Sequence, residues 1–258
     1  MGHSMTAIAE PVSPISVVRQ PRFYFYMSLA CAAVAFLGFA PTYWAPLVAG
    51  SFKGHPIIHI HALIFFSWTL FFVFQTWLAA SGRVGRHRMI GMAGISLATV
   101  MTILGIMAAV VQMRNAASLG LADAGKAFAI VPLGGIFFFA VTFALAIANI
   151  RRSEWHKRWM LLAMISILDA PIARWVLTFL APSGASGPPP VSADILPAFL
   201  ACGLIVVAIV HDWRMQKSAP PVYAWGGGAL LVLKLAQVPI SATALWNYAA
   251  SWLLALAR

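Results

Sequence analysis

The stretch that decides the fold is "HPIIHIHALIFFSWTLFFVFQTWLAA", residues 55–80. It contains no Asp, Glu, Lys or Arg. A helix needs about 20 predominantly apolar residues, rising about 1.5 Å each, to cross the hydrocarbon core of a bilayer. The run is long enough, so it predicts a membrane-spanning helix over 56–80. Its entrance carries three titratable rings, His55, His59 and His61.

The rest of the chain reads the same way. Of its 258 residues, 62% are hydrophobic and 9% charged, against about 25% charged in a soluble domain. Mean hydropathy is +0.88. Apolar runs at 23–49, 56–80, 88–112, 126–150, 158–180, 193–212 and 224–256 predict an all-α membrane protein, a seven-transmembrane-helix bundle. The expected organisation is a polar tail at 1–22 and one transmembrane domain at 23–258. The start is too polar and Pro-broken for a cleavable signal peptide, and His3, ahead of a second Met, is given no role. The first helix should bend at Pro41 and Pro46. The last is long for one span and should fray at Gly226–Gly228 or kink at Pro239. Residues 181–190, "APSGASGPPP", read as an irregular loop. Cys31 and Cys202 lie inside apolar runs with no CxxC pattern, so no disulfide framework is expected.

The net charge of +11 would suggest nucleic acid in a soluble protein. Here the cations fall in short loops, where they set orientation, and no nucleic-acid partner is expected. With the N-terminus inside, Arg19, Arg22, Arg83, Arg86, Arg88, Arg151, Arg152, Lys157, Arg158, Arg214 and Lys217 share one side. Lys53, Arg114, Lys126 and Arg258 share the other, and Arg174 and Lys234 stay within the membrane. The asymmetry predicts N-terminus inside and C-terminus outside. One internal echo stands out: "SGRVGRHRMIGM" (81–92) and "IRRSEWHKRWML" (150–161) each read basic cluster, His, Arg, then an apolar helix with Met.

The topology separates the histidines. His55, His59 and His61 fall near the outer face and are candidate metal ligands, neutral imidazole being the commonest such ligand. A spacing of four sets His55 and His59 on one face, while His61 is rotated by roughly 200° from His59. The bland reading is an interfacial set bonded to headgroups or loop backbone. His87, His156 and His211 fall near the inner face, each at a helix end. His87 and His156 on different helices suit the axial ligands of a haem, with the neighbouring cations receiving propionates. Anchoring to lipid phosphates explains the same residues. His211 is a further candidate, with Asp212 as its orienting partner.

Three charged residues lie inside apolar spans. Asp169 is eleven positions past Arg158, about 16 Å from the inner edge, and Lys234 is about 15 Å into the seventh helix. An unpaired charge at midplane costs about 3 kcal/mol or more, so the two should share an interior polar site, with Arg174 a turn outward toward His59 and His61. A purely structural ion pair is the plain alternative. A lysine in a seventh helix also raises retinal, but that leaves the histidines unexplained. Intramembrane zinc hydrolases of the adiponectin-receptor and ceramidase kind carry paired histidines on the last helix, and 224–256 has none.

At "HIHALIFFSWTLFFVFQTWLAASGRVGRHRMIGMAG", "HKRWMLLAMISILDAPIAR" and "FLGFAPTYW" the chain resembles a group of uncharacterised bacterial polytopic inner-membrane proteins with HR..G and HKR.MLLA motifs. The resemblance covers most of 36–255 and implies the bacterial cytoplasmic membrane. A looser likeness to cytochrome-b-type bundles is one of fold. The leading functional expectation is membrane redox chemistry at a histidine site holding haem b or a transition metal, with Asp169, Arg174 and Lys234 shaping a polar pocket. The expected partners are membrane lipids and a small lipophilic substrate such as a quinone. Two other classes stand beside it: a transporter or small-molecule binder using the intramembrane charges, and an assembly factor for a membrane complex.

Overall fold

The computed structural model describes residues 22–181, 187–217 and 220–256. The expected tail therefore lies outside the described residues apart from Arg22. Among the described residues, seven helical stretches are long and apolar enough to cross a membrane: Phe23–Val48, Ile57–Ala80, Val84–Ser118, Ala122–Ala148, Ser153–Leu180, Val191–Met215 and Tyr223–Ser241. No strand occurs among the described residues. Large apolar side chains such as Leu63, Phe137 and Val206 remain more than half exposed, as they do where lipid replaces water.

Proline divides the spans. The first consists of α1 (Phe23–Gly38), a π-helical turn at Ala40–Trp44 and α2 (Ala45–Val48). Pro41 has no N–H for the Leu37 carbonyl, and that carbonyl instead accepts the Trp175 indole N–H at 2.8 Å. Inside a membrane a freed carbonyl needs such a partner. The second and third spans are α3 (Ile57–Ala80) and α4 (Val84–Ser118). At 35 residues, α4 is about 52 Å long, well beyond the expected 88–112. The fourth span is α5 (Ala122–Phe128) followed by α6 (Ile130–Ala148).

The fifth span is also broken, into α7 (Ser153–Ile165) and α8 (Asp169–Leu180). Pro171 falls in the first turn of α8, where its missing N–H is tolerated. This span is the centre of the bundle: half of its apolar window is buried, more than in any other span. Leu161 to Ile165 are fully buried. A Cβ at Gly38 would come within 2.3 Å of Pro171 Cβ, so α1 and α8 meet at a position only glycine allows.

The sixth span opens with a 3-10 turn at Val191–Asp194 and continues as α9 (Ile195–Gln216). The seventh opens with a π-helical turn at Tyr223–Gly227, over the expected glycines, and continues as α10 (Gly228–Ser241). The expectation of one helix to 256 is corrected. The helix ends at Ser241, and a separate α11 (Ala244–Leu256) follows. It packs Ala250, Trp246, Leu253 and Leu254 against Val110, Met113 and Ala129 of α4 and the fourth span. Lys126 anchors it, donating to Asn247 at 3.1 Å and accepting the Trp246 indole N–H at 2.8 Å through its carbonyl.

Candidate functional site

The predicted depth match is a contact. Lys234 Nζ donates to Asp169 Oδ2 and to Asp194 Oδ2 at 3.1 Å. The three side chains are 4%, 9% and 7% exposed. They come from α10, the first residue of α8 and the 3-10 turn before α9. The helix break presents Asp169 to the interior, with its Oδ1 accepting the Ala170 N–H at 2.9 Å. Ile165, Ser166, Ala198, Ala201 and Leu230 close around Asp169 and Lys234, and the space beside these two admits no water molecule. Gln237, one turn beyond Lys234, is 1% exposed. It donates to the Ile130 carbonyl at 3.2 Å, and its Oε1 has no partner.

Asp194 is the member that sequence reasoning missed. It stands at the edge of an apolar run, where an acid is ordinary at a helix start. Arg174, by contrast, does not join the group. It is exposed, with its guanidinium 5.8 Å from the Phe39 ring. Phe39 belongs to an aromatic cluster with Phe66 and Tyr43, and Tyr43 also bonds His59. Arg174 thus shares surroundings with His59 rather than a contact.

The outer histidines do not converge. His55 and His59 are exposed. The Ile57 N–H donates to His55 Nδ1 at 3.3 Å, and Tyr43 Oη lies 3.0 Å from His59 Nδ1. His61 stacks on Phe65 with ring centres 4.0 Å apart, its buried Nδ1 unpartnered. The helical rotation between positions 59 and 61 keeps them apart. Among the described residues, no three His, Cys, Asp or Glu side chains are arranged to hold a metal ion.

At the end of the bundle that carries the basic loops, His87 and His156 do meet. Their ring centres are 6.3 Å apart and the planes cross at 79°. His87 Nδ1 lies 3.2 Å from the Gln75 carbonyl and His156 Nδ1 2.9 Å from the Ala146 carbonyl. A carbonyl only accepts, so each Nδ1 carries a proton and Nε2 is the nitrogen left free of that bond. The sequence echo at 81–92 and 150–161 is thus a structural one: each His reaches back to a carbonyl near the end of the preceding helix.

The flank beside His87 is open. A Cβ at Gly91, one turn on, would meet only Gln75 Oε1, at 3.8 Å. Gln75 is 6% exposed, with neither amide atom partnered. His61, Trp68 and Gln75 are seven residues apart and so share a face of α3. Each has a buried polar atom without a partner.

His211, the further candidate, has Asp212 as its orienting partner. Its ring stacks on Phe23 at 3.7 Å, and its Nδ1 bonds Asp212 Oδ1 at 3.1 Å. Asp212 in turn accepts Arg158 Nε at 2.7 Å and Tyr24 Oη at 3.4 Å, and Tyr24 Oη lies 3.2 Å from Tyr223 Oη. Arg158 also donates to Glu154 Oε2 at 2.9 Å. Arg158 is therefore an interior residue, 3% exposed, rather than a loop cation.

Fold and sites together define an all-helical polytopic membrane protein with an interior lysine–dicarboxylate cluster, a histidine pair and a buried arginine network. Comparison with known proteins finds no family, no curated protein and no solved structure that matches the chain.

Proposed function

We propose that His87 and His156 hold a redox-active haem b and that the protein is a membrane oxidoreductase. The observation carrying this reading is the geometry of the pair. With ring centres 6.3 Å apart, the two imidazoles would hold the group between them. The carbonyl bonds to Nδ1 leave Nε2 as the ligand atom and hold each ring in place, the usual support for a metal-binding histidine. Arg86 and Arg88 flank His87 and Lys157 follows His156 in sequence, supplying cations for propionates. Bound there, a haem would supply one-electron transfer.

A small lipophilic partner such as a quinone fits the setting. An apolar groove lined by Val34, Leu37, Ile172, Trp175, Val176 and Leu200 offers a course for an isoprenoid tail. The basic end faces the cytoplasm in this reading, and the resemblance to bacterial inner-membrane proteins favours that membrane.

The test is the absorption spectrum of protein purified from haem-replete cells, with elemental analysis alongside. A Soret band is expected, abolished or shifted in His87→Ala and His156→Ala and unchanged in His211→Ala. A colourless protein with one bound transition metal would replace haem by a bare metal at the same pair. Neither haem nor metal would reject the reading and return the rings to headgroup anchoring. Orientation has its own test: Val84→Cys and Ser153→Cys should resist an impermeant thiol reagent in intact cells, and labelling from outside would reverse the topology.

A further inference from the structure

We propose that Asp169 and Asp194 share one exchangeable proton beside Lys234, making the cluster a proton-binding site inside the bundle. The argument begins with charge. Two carboxylates converge on one ammonium, so full ionisation leaves one uncompensated negative charge among side chains less than a tenth exposed. The space beside Asp169 and Lys234 admits no water molecule. Among the described residues, Lys234 is the cation that contacts the two carboxylates. Ser166 before the helix break and Cys202 on α9 border the cluster, and α6 contributes no titratable residue. Two like charges held this close do not both ionise without a large penalty. A proton is the one counter-charge small enough for the packing.

The geometry also gives the proton a route. Asp194 ends a one-turn 3-10 segment, and Ser192, two residues earlier, is exposed. That segment follows the 187–190 connection at the end opposite the basic loops. From the other end, the buried run Leu161–Ile165 intervenes. Exchange therefore runs from bulk water past Ser192 to Asp194, with proton uptake converting one carboxylate to a carboxylic acid and release reversing it. Lys234 keeps its charge throughout and holds the remaining carboxylate. The site is independent of the histidine pair and stands whether or not a cofactor binds there.

Infrared spectroscopy of the full chain in an ester-free detergent tests this directly, because the sequence has only six Asp and Glu residues and few groups contribute to the carboxylic C=O region. At neutral pH the wild type should show one protonated-carboxyl band that shifts on transfer to heavy water. The band should vanish in both Asp169→Asn and Asp194→Asn, persist in Asp123→Asn and Asp212→Asn, and grow in Lys234→Met. Absence of the band in the wild type overturns the proposal. So does a band that ignores both Asn variants, and so does one that never shifts in heavy water, which would be a locked proton rather than a site. If one Asn variant does not insert, the wild-type exchange and the other variant still decide. If sodium stabilises the wild type and no carboxyl band appears, the counter-charge is a metal cation and the proton is rejected.

Discussion

Lys234→Met should lower stability by about 3–5 kcal/mol, the range for removing one partner of a buried ion pair. Lys234 is the cation that Asp169 and Asp194 both contact, so its loss strands the negative charge that the proton-sharing pair still carries. The acids behave differently. Asp169→Asn leaves Lys234 with Asp194, and Asp194→Asn leaves it with Asp169. Each should cost about 1–3 kcal/mol, the scale of one imperfectly satisfied buried polar group. A simple Asp169–Lys234 pair predicts equal losses from either side; the third member removes that symmetry. The variant lacking all three charges should regain much of what Lys234→Met loses, because a neutral site needs no partner. Thermal unfolding in one detergent measures all four proteins. Additive losses across the set would mean that the groups are not coupled.

The part of this cluster that was legible in the sequence came from depth. Asp169 and Lys234 interrupt long apolar runs, and the constant helical rise places them at one level. Asp194 interrupts nothing, so hydropathy gives it no weight; only the packing of the 3-10 turn against α10 brings it in. The same logic separates the histidines. His87 and His156 each follow a basic turn at a helix start, and the repeated pattern put them at one end of the bundle. Their meeting depends on how α4 and α7 pack, which no local pattern carries. The outer trio looked stronger because its members are close in sequence, yet the helical rotation between 59 and 61 already divided it. The seventh span was overread for a related reason. Residues 242–256 are as apolar as a span, and nothing in composition distinguishes a helix that turns back onto α4 from one that continues. Arg158 was counted with the loops because three cations precede it within seven residues; a guanidinium one turn into a helix reaches loop or interior equally well.

That misplacement sets up the second large effect. Arg158→Met should destabilise by about 3–5 kcal/mol, since Asp212, 2% exposed, loses the guanidinium that contacts it at 2.7 Å. The consequence reaches several elements. Arg158 sits on α7, Asp212 on α9, Tyr24 on α1 and Tyr223 in the π-helical turn that opens the seventh span, and their polar atoms form one connected set. Asp212→Asn should be milder. The amide oxygen still accepts Arg158 Nε, and Arg158 keeps Glu154, although a neutral acceptor weakens a charge-assisted bond. Arg158→Lys is the informative intermediate. An ammonium keeps the charge but lacks the planar fork that serves Asp212 and Glu154 together, so part of the loss should remain. Thermal unfolding gives the order expected: Arg158→Met worst, Arg158→Lys between, Asp212→Asn nearest wild type. If Arg158→Met matches Arg158→Lys, the methylenes rather than the charge hold this end of the bundle. The sign of the topology experiment is also affected, because the basic end loses one of its counted cations to the interior. Ten remain in the inner group against four in the other, so the positive-inside bias survives, and with it the expectation that an impermeant reagent spares position 153.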